Sequence, residues 1–341
     1  MKCYNCGRAL PPTGGHCPHC GQAVYTRAGS TGAAKGRRLD GCLPPTMSAT
    51  DFRAVPNLSG LPRAVDLRGD CTPVEDQGQI GSCTANAAVG ALEFQRRKDG
   101  KPAGDLSRLF VYYNSRRMAG QEQDDGGATI AQCMAALLAF GTPPERSWPY
   151  DPALVKTTPD AKVFQEALDA TPREYAKVEG LEHVKGALAR QYPVVFGTSL
   201  PQRCFEEAAR TGVMPTPTAA ELAEAEKTGG HAMLLVGYDD APRTFIVRNS
   251  WGTQWGHQGY CQMSYDTFEQ SRAATTSWIL GNLEASGAFR VTRPVLVAKP
   301  VEGSVKDLAT KLREEIRGGL TKDLESTLKD VRGRFTPGRQ G

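Results

Sequence analysis

The sequence predicts an α+β domain built as two lobes, with a small metal-binding segment before it and a basic helical tail after it. Its first half carries helix-type runs. Residues 84–97 are apolar on nearly every face, as expected of a helix at the centre of a domain, and the apolar run 128–140 is ended by Gly141 and Pro143. After residue 175 short strand-type runs alternate with Gly, Pro and Asp. A helical half followed by a strand-rich half predicts two lobes across a cleft.

Composition fits a packed globular chain. Of the 341 residues, 40% are hydrophobic and 23% are charged, which is ordinary usage for a protein with a core. No apolar run approaches the roughly 20 residues that span a bilayer, so no membrane insertion is expected. The start, MKCYNCGRAL, lacks the apolar region of a signal peptide, and we therefore expect a cytoplasmic protein.

The net charge of +4 is unevenly distributed. Residues 1–40 carry +5, residues 41–286 carry −6 and residues 287–341 carry +5. Such basic ends are typical of solubilising tails. They also suit an acidic partner, but nucleic-acid binding is not expected because the basic residues lack interleaved aromatic side chains and a recognisable reader fold.

Residues 1–24 contain a duplicated Cys-x-x-Cys-Gly unit, in KCYNCGRAL and HCPHCGQAV. Four thiolates satisfy tetrahedral zinc, and a segment this short needs the metal for its folding energy. The pattern predicts a zinc ribbon with structural Zn²⁺, which could recruit a protein partner. A redox Cys-x-x-Cys is the alternative, although no βαβ pattern surrounds it. We interpret His16 and His19 as bystanders; the expected ligands are Cys3, Cys6, Cys17 and Cys20.

Three further segments follow the ribbon. Residues 25–60 are rich in Gly, Ala, Ser, Thr and Pro, which predicts a flexible linker before a domain at 61–286. Residues 287–341 form a basic tail, in which 305–316 and 320–331 have the apolar spacing of amphipathic helices. Docking, self-association and fraying of this tail all remain open.

A candidate nucleophile lies in QGQIGSCTANAAVGALEF, residues 77–94. Cys83 stands where a helix begins, and unpaired N–H groups with the helix dipole favour a thiolate there. The chain has only five histidines to supply a base. His231 is the best candidate because it opens the strand-type run GGHAMLLVGYDD, after two glycines that allow close approach of the backbone.

The base needs a group that orients it, and the oxyanion of the reaction needs donors. Asn249 follows one predicted hairpin after His231, and its amide oxygen can accept from the imidazole N–H. Trp251 could shield that hydrogen bond from water. Gln77 can supply a side-chain N–H to an oxyanion hole, together with the backbone N–H of Cys83.

These motifs together resemble the papain-like cysteine peptidases. The resemblance rests on several motifs in the family's order and extends over about residues 62–283. The matching motifs are QG at 77–78, GSC at 81–83, GG at 126–127, WPY at 148–150, His231 with VGY at 236–238, and NSWG at 249–252.

The resemblance implies a papain-like fold, with a helical left lobe and an antiparallel β-barrel-like right lobe. It implies hydrolysis of peptide or protein substrates by a Cys83 thiolate and His231 imidazolium through an acyl-enzyme, without a catalytic cofactor. An inert scaffold with this fold and an acyl transferase using the same residues are the alternatives. Beyond Cys83, His231, Asn249 and Gln77, the residues expected to bind substrate are Gly81, Gly126, Gly127 and Trp251; for the glycine pair an ordinary loop remains possible.

The chain departs from the family at several points. Ile80 replaces a cysteine that usually forms a disulfide, which agrees with a reducing location, and Thr84 replaces the usual aromatic residue. Residues 25–60 are shorter than the usual inhibitory prosegment. We therefore expect either an enzyme made in its mature form or a cleft covered by the C-terminal tail.

Overall fold

The structure is a computed structural model that describes residues 15–16, 23–24, 36–45, 52–102, 104–292, 310, 313–314 and 316. Its helices are α1 Cys83–Lys98, α2 Arg108–Met118, α3 Ile130–Phe140, α4 Ala161–Ala167, α5 Leu181–Ala189, α6 Gln202–Thr211, α7 Ala219–Ala225 and α8 Tyr265–Gln270. Its strands are β1 Gly15–His16, β2 Ala23–Val24, β3 Arg53–Pro56, β4 Ala64–Asp66, β5 Glu174–Lys177, β6 Val194–Thr198, β7 Val213–Met214, β8 His231–Asp239, β9 Thr244–Arg248, β10 Tyr260–Ser264, β11 Trp278–Gly281 and β12 Phe289–Thr292.

Helix α1 is the centre of the helical half. Its residues 83–95 are all buried, and its last turn is basic, which complements the negative end of the helix dipole. Gly90 of α1 faces β8, and a Cβ at this position would make an ordinary contact of 3.6 Å with the Leu234 side chain. The predicted central helix at 84–97 is therefore confirmed. The second predicted helix begins at Ile130 because Thr129 caps it, accepting from the backbone N–H of Gln132.

Strand β8 is the centre of the β half. It pairs antiparallel with β6, β9 and β4 within a ten-stranded sheet whose main order is β12-β3-β5-β11-β6-β8-β9-β10-β7. The four strand-type runs predicted after residue 175 lie at β6, β8, β9 and β10. Because β8 starts at His231 and α1 starts at Cys83, the packing of α1 on β8 brings the two element starts to the same end of the molecule.

Parts of the predicted linker are ordered in the structure. Strand β3, at 53–56, pairs with β12 and β5, so the folded domain extends beyond both ends of the predicted 61–286. Residues 36–45, called the strap below, lie against the domain. Composition alone did not predict either segment, because both are fixed by backbone hydrogen bonds and arginine ion pairs.

The described tail residues contact the helical half. Ile316 is buried, and Arg313 donates to the Leu138 carbonyl near the end of α3. The remaining tail predictions lie outside the described residues. Within the part of the chain that the structure describes, no helix has the length and apolar character needed to cross a membrane.

Candidate active site

Cys83 is the first residue of α1 and is fully buried. Its sulfur lies near the backbone N–H groups of Ala232 and Thr84, which lower the pKa of the thiol. Burial is the larger effect, and with the nearby Cys42 thiol it raises the pKa of Cys83 well above its usual range. Burial therefore works against the thiolate that the sequence predicts at this position.

His231 opens β8 and is 1% exposed. Its Nε2 lies 2.8 Å from Oδ1 of Asn249, and the same oxygen accepts from the backbone N–H of Ser250 at 2.8 Å. Since an amide oxygen only accepts, Nε2 carries the proton and Nδ1 of the neutral ring presents its lone pair. That Nδ1 is buried and has no hydrogen-bond partner among the described residues.

The Cys83 sulfur lies close to the start of β8, the strand that begins with His231. The N–H group of Ala232 near the Cys83 sulfur belongs to the residue after His231. Burial lowers the pKa of His231 to about 4, against a smaller opposite effect from the Asn249 hydrogen bond. Burial therefore acts against the charged form of both side chains.

Two aromatic rings enclose the imidazole. The Trp251 ring centroid lies 4.7 Å from that of His231, and the Phe205 ring meets it edge-on at 5.5 Å. Trp255 in turn packs edge-on against Trp251 at 5.7 Å. Trp251 thus lies beside the His231–Asn249 hydrogen bond. Phe205 in α6 was not found by sequence reasoning, because one Phe in an amphipathic helix gives no signal.

Hydrogen bonds hold the Gln77 side chain in place beside the start of α1. Its side-chain amide donates to the Ile80 carbonyl at 2.9 Å and accepts from the Ser250 hydroxyl at 2.5 Å. Tyr150 donates its hydroxyl proton to the Gln77 carbonyl at 3.0 Å, and its oxygen lies 2.5 Å from that of Ser82. Because an amide NH₂ has two hydrogens, one N–H of Gln77 remains for an oxyanion.

The strap lies directly over the nucleophile. A Cβ built on Gly41 would lie 3.1 Å from the Cys83 sulfur and 2.8 Å from the Gly81 carbonyl oxygen, so only glycine fits there. Gly127 is equally close, since its φ is +89° and a Cβ on it would lie 2.6 Å from the Gly41 carbonyl oxygen. Gly126 precedes it in the same loop and is exposed. In this arrangement the strap therefore occupies the space directly over Cys83.

Backbone hydrogen bonds hold the strap in a strand-like arrangement. Ala128 donates to the Gly41 carbonyl at 3.1 Å and accepts from the Leu43 N–H at 3.1 Å. Cys42 donates to the Gly230 carbonyl at 2.8 Å, and its own carbonyl accepts from Arg272 at 3.0 Å. The carbonyls of residues 41 and 42 are thus occupied by hydrogen bonds from Ala128 and Arg272.

Ion pairs of two arginines hold the start of the strap against the domain. Arg37 makes a two-point contact with Asp76, at 2.6 and 2.9 Å, and Arg38 pairs with Asp125 at 2.7 Å and with Asp40 at 2.8 Å. Sequence reasoning missed these contacts and the strap itself. The covering segment thus comes from the predicted linker, whereas the described tail residues lie at α3.

The predicted zinc ligands Cys3, Cys6, Cys17 and Cys20 lie outside the described residues. Nearby, β1 and β2 pair antiparallel, with Gly15 opposite Val24 and His16 opposite Ala23. The described ranges contain no group of three or more His, Cys, Asp or Glu side chains that could hold a metal ion. The zinc ribbon therefore stays a prediction.

Comparison with known proteins gives a consistent family match. Residues 61–279 match the model of the papain family of cysteine proteases. An uncharacterised peptidase C1-like protein of Acanthamoeba polyphaga mimivirus is 34% identical over 216 residues, covering 60% of this chain and 68% of that protein. Cathepsin K of Gallus gallus is 33% identical over 210 residues, and the matched region spans 59% of this chain but only 58% of the cathepsin.

Solved structures agree with this match. Xylellain, a cysteine protease from Xylella fastidiosa, has a TM-score of 0.64 and 35% identity, covering 72% of this chain and 98% of its own. The Carica candamarcensis cysteine protease CMS1MS2, solved in complex with E-64, has a TM-score of 0.51 at 22% identity, covering 65% of this chain and 99% of its own. The second likeness concerns the fold alone.

Proposed function

The chain belongs to the papain family of cysteine proteases, and we propose that this cysteine-type peptidase hydrolyses peptide bonds with Cys83 as nucleophile and His231 as base. The observation that carries the proposal is the hydrogen bond from His231 Nε2 to Asn249. It fixes the tautomer and leaves the Nδ1 lone pair without a hydrogen-bond partner among the described residues. A protease implies a protein or peptide substrate.

The reaction follows from the donors and acceptors of these groups. Nδ1 of His231 removes the thiol proton, and the sulfur of Cys83 bonds to the substrate's carbonyl carbon. The free N–H of Gln77 and the backbone N–H of Cys83 stabilise the oxyanion. Collapse of this intermediate breaks the C–N bond, and the imidazolium returns its proton to the leaving amine. Water, deprotonated by His231, then hydrolyses the thioester and restores the thiol.

We propose that the described arrangement is a latent form of this enzyme. Gly41 fills the space where a substrate carbonyl must approach Cys83. The strap also forms hydrogen bonds with the backbone groups of Ala128 and Gly230, so these groups are not open to a substrate. Burial under the strap also disfavours the charged thiolate and imidazolium. Displacement of the strap would admit substrate and water together, and the ion pair could then form.

The Zn²⁺ ribbon and the cytoplasmic location are further proposals. Both rest on the sequence alone. Four cysteine thiols in two Cys-x-x-Cys-Gly units form the donor set of a closed structural zinc site. The ribbon would not take part in the chemistry and could bind a protein partner.

Peptide-library digestion by the full chain and by Cys83→Ala tests the peptidase function. We expect cleavage and covalent labelling by a thiol-directed epoxide in the wild type, and neither reaction in the variant. Product masses separate hydrolysis from acyl transfer to an amine. An unlabelled, inactive protein, even when the strap is loosened by Arg37→Glu, would favour the inert scaffold instead.

A further inference from the structure

Asp125 is a carboxylate fixed beside the nucleophile. Its Oδ1 accepts from the backbone N–H of Gly81 at 3.0 Å and from the Tyr112 hydroxyl at 2.5 Å. Tyr112 is fully buried, and its hydroxyl oxygen accepts from the Gly127 N–H at 3.0 Å. These contacts bind Asp125 to the two glycines that flank the strap over Cys83. The carboxylate therefore has a set orientation within the cleft.

The other oxygen of Asp125 is available to a cation. In the closed form Oδ2 accepts from Arg38 of the strap at 2.7 Å, and the two side chains are 27% and 24% exposed. The guanidinium lies on Gly81, since a Cβ there would meet both terminal nitrogens at 3.2 Å. Gly81 is two residues before Cys83, and its carbonyl faces Gly41. The Arg38 guanidinium thus lies against the segment that leads into Cys83.

The domain itself supplies no hydrogen-bonded cation to Asp125 among the described residues. Arg116 of the domain donates to the backbone carbonyls of residues 112, 122, 124 and 155 and lies over the Tyr112 ring. When the strap leaves, Arg38 leaves with it. Oδ2 then faces the cleft without a partner, in a place that a guanidinium fits.

We propose that Asp125 is a specificity-determining residue that selects substrates with an arginine or lysine side chain next to the scissile bond. The inference rests on the proposed peptidase function and adds the substrate class. Charge-assisted hydrogen bonds to a fixed carboxylate are stronger than neutral ones. A site built to bind such a group also rejects an analogue that leaves its polar atoms unpaired. Arg38 occupies the site in the closed form as an internal mimic of that side chain.

The test compares two peptides that differ only in arginine or citrulline before the scissile bond. Citrulline keeps the shape and loses the charge. Both are cleaved by the full chain, by Asp125→Asn and by Asp124→Asn, with active sites counted by epoxide labelling. Asp124→Asn is a matched control, because the Asp124 side chain is exposed and its substitution removes the same charge as Asp125→Asn. Asp125→Ser is the second variant if Asp125→Asn does not fold.

We expect the wild type and Asp124→Asn to prefer the arginine peptide by at least about tenfold in kcat/KM, the range of one charge-assisted hydrogen bond. Asp125→Asn should lose most of that preference, and added salt should reduce it in the wild type. Loosening of the strap does not change the ratio of the two kcat/KM values, because both peptides react with the same fraction of open enzyme. An unchanged ratio in Asp125→Asn overturns the inference while leaving the peptidase function intact. Failure of every variant to cleave either peptide would instead refute the peptidase function, and the inference with it.

Discussion

At the scale of single residues, the site combines the expected partners with a burial that disfavours their charged forms. Asn249 fixes His231, and the sulfur of Cys83 reaches the neighbouring backbone. Yet burial raises the pKa of the thiol and lowers that of His231 to about 4. Both effects disfavour the charged form. Covering of Cys83 by the strap therefore acts against formation of a thiolate–imidazolium pair.

This state predicts a distinctive pH dependence of thiol alkylation. With its pKa raised, Cys83 in the closed chain becomes a thiolate only as the pH rises above the usual thiol range. Since His231 is neutral above about pH 4, no ion pair supplies a thiolate near pH 6. Iodoacetamide labelling of the Cys83 peptide, followed by mass spectrometry from pH 5 to 9, should be slow and increase only at the alkaline end.

Loosening the strap with Arg37→Glu should make Cys83 react at pH 6, because water and the thiolate–imidazolium pair both become accessible. Cys133 is the internal control. It is buried and its pKa is raised to about 11, so its labelling should be equally slow in both proteins. Fast labelling of Cys83 at pH 6 in the wild type would contradict the closed, neutral state.

At the scale of elements, the strap is a short segment held by a few polar contacts. The Arg37–Asp76 pair is two-pronged, with Arg37 16% and Asp76 48% exposed. A single ion pair of this kind contributes about 0.2–1 kcal/mol, and reversal of its charge adds repulsion. We expect Arg37→Glu to increase peptide cleavage at least about threefold. Added salt should likewise speed the wild type, since the pair is screened.

Arg53→Glu is the control for this variant. It reverses the same type of charge in an exposed pair with Glu179, on β3 and away from the strap. Its cleavage rate should match that of the wild type. Equal rates for all three proteins, in low and in high salt, would mean that the ion pairs do not limit opening of the strap.

The zinc ribbon is the second element open to a direct measurement. Cys17→Ser removes one of the four proposed thiolates and leaves a site that binds Zn²⁺ far more weakly. Elemental analysis should find about one zinc per wild-type chain and much less in the variant. Cys261→Ser is the comparison, because this buried thiol belongs to β10. Undiminished zinc in Cys17→Ser would remove the ribbon.

The elements also show what the sequence could and could not predict. The helix that begins at Cys83, the strand that begins at His231 and the strand that ends just before Asn249 follow from apolar periodicity and turn residues. The elements that carry the candidate site were therefore within reach of sequence reasoning. The strap could not be predicted from the sequence, because Gly41, Cys42 and Leu43 are held on the domain by backbone groups that almost every residue type carries. Asp125 was missed because its role depends on where the Gly81 and Tyr112 donors meet it.

At the scale of the whole molecule, the uneven charge acquires a structural meaning. Residues 1–40 carry +5 and residues 41–286 carry −6. The sequence suggested solubilising tails, but Arg37 and Arg38 from the basic end pair with Asp76 and Asp125 of the acidic body. Long-range attraction between the two regions favours the closed form, and it weakens as salt rises.

The two ends of the folded domain are tied to each other. Strand β12 follows the predicted end of the domain and pairs along its whole length with β3, which precedes the predicted start. Phe289 of β12 is buried against Tyr192, with ring centroids 4.8 Å apart. This closure lies away from Cys83, so it should affect stability without affecting the chemistry.

Phe289→Ala should therefore destabilise the domain by about 3 kcal/mol, since it removes a buried ring and leaves a cavity. In a domain of this size that loss corresponds to a fall in Tm of roughly 6–12 °C. Arg290→Ala is the matched control, because the next side chain on the same strand is exposed and its loss should shift Tm little.

Scanning calorimetry gives Tm, and epoxide labelling of Cys83 below the transition counts intact sites. A lower Tm with full labelling would show that closure of the chain ends holds the domain together independently of the cleft. A fall in labelling at temperatures where the domain is still folded would instead connect β12 to the active site.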